Sequence, residues 1–563
     1  MSQEVEKKVW FDSYPDEIPP SIDYPDVSLP QFLIDTAKEF PDNEAISFIG
    51  KKINYKQLLN LTYRFANALK SLGVKKGDRV ALMLPNSPQA VISYYGALML
   101  GAVVVQNNPL YTERELEHQI NDSGAETIVV LDLLYPKAVN IKANTSLKNI
   151  IVTSIKDFLP FPKNLLYPLK LKKDGQYIKV KEEQGVYFFS KLIKTQANTP
   201  VQEEIIPKED IALLQYTGGT TGRSKGVMLT HSNLVTNVVQ ESYWLYKAEK
   251  GKERFLGVLP LFHVFGMTAV MNFSIYIAGS MILVPRFNPG ELLETIQKEK
   301  PTYFPGAPTI YIALLNYPKV KDYDLSSIKA CISGSAPLPV EVQEKFEKLS
   351  GARLVEGYGL TETSPVTHAN LVWGKRKIGS IGIPWPDMDA KVVDPNTGED
   401  LADGEIGELA VKGPVVMKGY WNMPEETNKV LRDGWLLTGD MATIDEEGYF
   451  YIVDRKKDMI IAGGYNIYPR EVEEVLYEHP AVQEAVVAGI PDPYRGETVK
   501  AFIVKKQGVE ITEEELDQYC RTNLAAYKVP KLYEFRDELP KTIVGKILRR
   551  VLVEEEIEKG KAG

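Results

Sequence analysis

YTGGTTGRSKGVMLTH, Tyr216 to His231, sets four glycines, a cluster of hydroxyls and one lysine directly behind the apolar run Ile211-Ala212-Leu213-Leu214. The run reads as a buried strand. Gly218, Gly219 and Gly222 let backbone N–H groups approach an anion closely. Thr217, Thr220, Thr221 and Ser224 add donors, and Lys225 adds charge. The stretch therefore reads as a strand followed by a loop that holds polyphosphate. It is not a Walker P-loop, in which four residues separate two glycines and the lysine directly follows the second. Here Lys225 follows Arg223-Ser224 and precedes Gly226. A flexible linker would not lie between two apolar runs, and Val227-Met228-Leu229 continues on the far side.

The same texture extends outward. A helical pattern over Gln57 to Leu72 alternates with short β-branched runs at Arg79–Met83, Ala102–Val105 and Thr127–Leu131, and a second set follows around Met281–Val284 and Lys329–Ser333. Such alternation predicts an α/β fold with largely parallel sheets. After about residue 380 short strands and turn residues, as in Asp394–Gly398 and Asp445–Gly448, predict a small β-rich subdomain. The charged run Asp454-Arg455-Lys456-Lys457-Asp458 then marks the main boundary, before a final unit with its own helix and strand pattern.

Composition narrows the partners. Among 563 residues, 66 Lys and Arg face 75 Asp and Glu, a net charge of −9, which argues against nucleic acid as the main partner. Two cysteines, Cys331 and Cys520, fit a reducing compartment, and the N-terminus has neither a signal-peptide nor a transit-peptide pattern, so a cytoplasmic protein is expected. The five histidines show no HxxH or HExxH spacing. Two uncharged runs are read as strand and helix pieces rather than membrane spans: Ala90 to Val105, split by Gly101, and Phe255 to Pro285, broken by Pro260, His263, Gly266, Asn272 and Gly279.

Further segments occur in a fixed order: LPLFHVFGM at Leu259–Met267, SGSAPLP at Ser333–Pro339, EGYGLTET at Glu356–Thr363, WLLTGD at Trp435–Asp440, DRKKDMIIAGGYNIYPREVE at Asp454–Glu473 and PKTIVGKILRR at Pro540–Arg550. With the glycine loop they resemble the adenylate-forming acyl-CoA synthetases over nearly the whole chain. Their wording is similar to the bacterial long-chain fatty acyl-CoA synthetases, above all at Tyr527–Arg550.

That resemblance implies a large N-terminal AMP-binding domain over 1–453, made of two parallel-sheet α/β subdomains and the β-rich one. A hinge over 454–458 and a mobile, smaller α+β C-terminal domain over 459–563 would complete the chain. It implies ATP, Mg2+ and CoA, and a fatty acid converted first to its adenylate and then to its thioester. Lys546, His263 and Glu362 become the expected catalytic residues, and Glu362 and Thr217 the magnesium ligands. The nucleotide is expected on Thr217, Gly218, Gly219, Thr220, Thr221, Gly222 and Lys225. The adenine loop Gly334, Ser335, Ala336 and Pro337 adds to these, as does the element Glu356, Gly357, Tyr358, Gly359 and Thr361. Asp440, expected on the ribose, Arg455 and Lys457 complete the set. Gly463, Gly464 and Tyr465 are expected along the thiol's path. Taken alone, His263 would be a packed core residue and Lys546 a solvated lysine on a basic tail.

Chain length is not written in the sequence. Some long-chain relatives have a tryptophan gate four residues after the pocket histidine, where this chain has Met267, so Trp244 and Val264–Phe273 are the candidates for an acyl tunnel. A medium-chain or aryl acid CoA ligase is the nearer alternative. A nonribosomal adenylation module and a non-catalytic nucleotide- or lipid-binding protein are the further ones. The segment Phe158–Lys173, with outward-looking Phe158, Phe161, Leu165 and Leu166 and a basic end, is read either as a dock for an anionic bilayer or as a packed surface loop. A homodimer is an option that the resemblance carries.

Overall fold

A computed structural model describes residues 7–201, 203–217, 224–462, 465–492, 494–542 and 545–562. Among them four sheets form. One has nine strands, with the parallel order Arg353–Gly359, Ala330–Ser333, Tyr303–Gly306, Arg254–Gly257, Ser280–Leu283 and Glu44–Phe48 at its centre and antiparallel strands at both edges. A second, of eight strands, runs parallel from Ile211–Thr217 through Val103–Gln106, Arg79–Met83, Thr127–Leu131 and Asn149–Thr153 to Val186–Phe188. Antiparallel strands Asp389–Val393, Gly407–Lys412, Trp435–Ile444 and Phe450–Arg455 make most of the third. The fourth pairs Val482–Asp492 with Gly496–Lys505 and adds Leu532–Arg536 in parallel.

Local chemistry explains the elements that carry the large sheets. Helix Tyr55–Ser71 starts at a capping box in which Asn54 and Gln57 satisfy each other's backbone N–H. It buries Tyr55, Leu58, Thr62, Phe65, Ala66 and Leu69, one stripe at helical spacing. Helix Pro88–Met99, capped by Ser87, is buried almost all round, as a helix enclosed by other elements must be. Gly96 lets the two helices touch, since a Cβ there would lie 2.8 Å from Phe65 and 3.3 Å from the Thr62 carbonyl. Gly101, at φ +67°, turns the second helix into its following strand, so the run Ala90–Val105 divides as expected. Phe255–Pro285 also divides into strand, helix and strand, and its helical part contains a π-helical turn at Met267–Asn272.

One expectation is corrected. Phe158 is buried against the core, because it ends a short 3₁₀ turn whose inner side packs on Phe189. Phe161, Leu165 and Leu166 stay exposed. Cys331 and Cys520 are both buried thiols. Among the described residues no helix is long and apolar enough to cross a membrane. Buried apolar side chains from Trp10 to Phe450 share two clusters around the first three sheets, whereas those from Ile460 to Leu552 form two others around the fourth.

Candidate active site

Asp440 is the residue around which the expected nucleotide-binding side chains gather. It lies in strand Trp435–Ile444, directly after Gly439 at φ +74°, and is buried. Tyr358 donates its hydroxyl to one carboxylate oxygen at 2.6 Å, and Arg455, paired across the ladder with Asp440, approaches the other at 3.1 Å. A carboxylate has about four acceptor positions, so two contacts leave room for further donors. Burial and then Asp440 raise the Tyr358 hydroxyl above its ordinary pKa, which keeps it a donor.

Lys546 reaches the same place from the far end of the chain. Burial and the adjacent Arg455 push its ammonium down to about 8, with Asp440 opposing. Its loop closes on itself: Lys546 N–H bonds the Thr542 hydroxyl at 3.1 Å and Thr542 N–H bonds the Lys546 carbonyl at 2.8 Å. Gly545, at φ +78°, seats that loop on Thr309, where a Cβ would lie 1.9 Å from the threonine hydroxyl. His263 faces Lys546; burial first and the lysine charge second lower it to about 4. The imidazole is therefore neutral near pH 7, with Nδ1 accepting the Phe265 N–H at 3.3 Å at the start of the next helix.

The other expected residues surround this point unevenly. Gly334 leaves its strand with a bond to the Gly306 carbonyl and lies against the Phe265 ring; Ser335 follows at φ +71°, then Ala336 and the exposed Pro337. Glu356 is buried and pushed up to about 7 by desolvation, against the pull of Arg470. Gly357 and Gly359 sit in the same strand, and a Cβ on Gly359 would meet the Pro365 carbonyl at 1.9 Å. Thr361 and Glu362 form a single 3₁₀ turn, and Glu362 accepts the Tyr420 hydroxyl at 2.8 Å. A cavity of about 300 Å³ opens beside Glu362 and Tyr420, walled further by Glu408, Gly439 and Lys456. Lys457 is exposed at the surface, and desolvation followed by Arg455 lowers its pKa.

The ends of the glycine loop, Thr217 and Lys225, are cross-strand partners. Lys225 is ion-paired with Glu426 and lies 4.9 Å over the Tyr420 ring, which links it to the Glu362 side of the site. Gly218, Gly219, Thr220, Thr221 and Gly222 lie outside the described residues, as do Gly463, Gly464 and the side chain of Tyr465. Trp244 is fully buried, stacked on Trp385, with its indole N–H on the Asn370 carbonyl, while Val264–Phe273 is buried throughout.

Sequence reasoning missed the residues that join the two halves. Arg470 is buried, with its guanidinium 3.8 Å from Glu356 and a bond to the Ile452 carbonyl, and its N–H bonds Asp454 at 2.9 Å. Arg549 spans Asp454, Asp458 and Glu473. An arginine directly after Tyr-Pro and a glycine directly before Lys546 were the available signals.

Residues 33–421 match the model of the AMP-binding enzyme family, and residues 471–546 that of the AMP-binding enzyme C-terminal domain. The chain is 58% identical over 553 residues to a long-chain-fatty-acid–CoA ligase of Bacillus subtilis, covering 98% of this chain and 99% of that one. It is 42% identical to a long-chain-fatty-acid–CoA ligase of Escherichia coli O157:H7, covering 98% of each. An anthranilate CoA ligase solved with anthranoyl-AMP superposes with a TM-score of 0.86 at 29% identity, over 96% of this chain and 98% of that one.

Proposed function

Because this chain belongs to the AMP-binding enzyme family, we propose that it is an acid–thiol ligase that uses ATP to join a long-chain fatty acid to CoA. The carboxylate attacks the α-phosphorus, pyrophosphate leaves, and the resulting acyl-adenylate passes its acyl group to the CoA thiol with release of AMP. The observation that carries this reading is the convergence of Lys546 on Asp440, Arg455 and His263 from separate segments of the chain. In-line transfer at phosphorus needs positioning and charge stabilisation rather than a protein nucleophile. A cationic lysine beside a neutral histidine and a buried carboxylate with acceptor positions to spare supplies that.

Within this reading Lys546 meets the α-phosphate and carboxylate oxygens, and His263 lines the reacting end of the acyl pocket. Asp440 accepts the ribose hydroxyls, and Tyr358 borders the base. Thr217, Lys225 and the glycines between them hold the polyphosphate; Lys225 exchanges Glu426 for it. Glu362 offers one carboxylate, and among the described residues no group of three or more His, Cys, Asp or Glu gathers. This donor set suits a magnesium ion that keeps most of its waters and phosphate oxygens. Held by Glu362 and Thr217, it would supply neutralisation of the phosphate charge. We read 1–453 and 459–563 as two domains about a hinge at 454–458, with the second turning so that Gly463–Tyr465 replaces Lys546 when the thiol enters. We also place the enzyme in the cytoplasm, beside a membrane rather than across it.

The long acyl chain is supported by the 58% relative; an aryl acid is the second reading, favoured by the anthranilate ligase likeness. The test is turnover of acids from acetate to oleate, and benzoate, with ATP, magnesium and CoA, measuring AMP and thioester together. Oleate is expected to give both in equal amounts. AMP without thioester would sink the CoA step, and benzoate as the preferred acid would sink the fatty acid assignment.

A further inference from the structure

Helix Lys163–Lys173 carries the most concentrated exposed apolar surface among the described residues. Just before and within it, Phe161 is 79% exposed, Leu165 63%, Leu169 60% and Leu166 56%. Helical spacing puts Leu165, Leu166 and Leu169 on one face. On the opposite face Tyr167 packs against the core and Leu171 is buried, so the helix is anchored and its outward face is not a fraying accident. Isolated exposed leucines need no explanation, but a contiguous cluster does.

The charges within this helix are of one sign, with Asp174 at its C-cap the first acidic residue beyond it. Lys163, Lys170, Lys172 and Lys173 belong to the helix, which contains no acidic residue. None of the four is ion-paired with a described carboxylate: Lys163 bonds the Ile49 carbonyl at 3.3 Å and Lys172 lies 4.9 Å over the Tyr177 ring. The Ile49 contact extends the patch. Ile49 is itself exposed at the tip of the hairpin joining strands Glu44–Phe48 and Lys51–Asn54, Gly50 lies against Pro160, and Lys51 is exposed beside them. A protein of net charge −9 thus concentrates lysines around four exposed apolar side chains.

We propose that this surface, helix Lys163–Lys173 with Phe161 and the Ile49 hairpin tip, docks the enzyme on an anionic phospholipid bilayer. The apolar face enters the acyl boundary while the lysine stems run outward to the headgroups. A second copy of the chain fits less well, because a two-fold contact through this face would set its lysines against their own copies. The proposal rests on the ligase reading only for its purpose, since a fatty acid substrate partitions into the bilayer.

The test is cosedimentation of the full chain with vesicles of equal parts phosphatidylcholine and phosphatidylglycerol, against phosphatidylcholine alone. Binding to the mixed vesicles is expected, weakening as salt screens the charges. Lys170→Glu/Lys172→Glu/Lys173→Glu is expected to lower that affinity about a hundredfold, and Leu165→Ser/Leu166→Ser about tenfold or more. Both variants keep wild-type turnover of a short, water-soluble acid. Equal binding by the variants, or no binding by the wild type, would overturn the proposal. So would a wild-type dimer in sedimentation velocity that the leucine variant splits. Vesicle binding that behaves as expected alongside no turnover of any acid would leave the docking surface standing and sink the ligase reading alone.

Discussion

Lys546 occupies an environment that works against its own charge. Burial and Arg455 bring its pKa to about 8, so the cation that the proposed reading sets at the phosphorus is present below that pH and lost as pH rises through it. The adenylation kcat/KM for ATP, which reports the free enzyme, is therefore expected to fall above about pH 8. In Lys546→Arg that limb disappears, because a guanidinium stays charged. The same shift has a stability sign: from about 8 to the ordinary lysine value the unfolded chain holds a proton the folded one has lost, so this group favours folding increasingly as pH rises across that window. Lys546→Ala is expected to slow pyrophosphate exchange about 10²–10³-fold, the usual loss for one charge-stabilising donor. Thioester formation from supplied acyl-adenylate survives. Equal loss in both half-reactions would contradict two poses.

The lysine loop packs through Gly545 directly on Thr309. Gly545→Ala adds a Cβ 1.9 Å from that hydroxyl at a backbone angle of +78°, and turning the hydroxyl away would still leave the threonine Cβ at 3.1 Å and the left-handed backbone strained. The variant is expected to lose adenylation nearly as completely as Lys546→Ala while keeping the thioester step, with Thr309→Gly restoring part of the loss. Stopped-flow measurement of the two half-reactions separates them. A variant that fails in both would have a folding defect instead. The opposite logic holds at Ser335, Gly334 and Gly359, whose tight turns belong to the N-terminal half itself and do not depend on pose.

At the scale of the whole molecule, a buried ion pair bridges the two halves: Arg470 of the C-terminal unit and Glu356. Arg470→Ala is expected to slow adenylation about tenfold, a modest shift of a two-pose equilibrium, while transfer from supplied adenylate stays constant or quickens. A parallel fall in both steps would mean that the pair only supports the fold. The parts read from sequence share a physical trait. Strands such as Thr127–Leu131 and Ala330–Ser333 are buried on both faces of parallel sheets, so they appear as unbroken β-branched or apolar runs. Gly101 announces its own turn. Sheet order is hidden, since nothing local tells Glu44–Phe48 that it lies beside Ser280–Leu283. That Asp440, Tyr358 and Lys546 gather in one place was expected from the wording of their segments. The positions of Arg470, Thr309 and Glu426 were not, because each meets a partner distant in the chain. Phe158 was misread for a related reason: its burial comes from Phe189, beyond any local pattern.

The π-helical turn at Met267–Asn272 has a consequence of its own. A π-turn holds one residue more than the α-helix around it while leaving the flanking turns in phase. Asn272 still accepts the Tyr95 hydroxyl, and the Ser274 carbonyl still accepts that of Tyr55. The segment behind His263 thus carries slack: its inner surface can differ by a residue between related chains without rotating the anchors on either side.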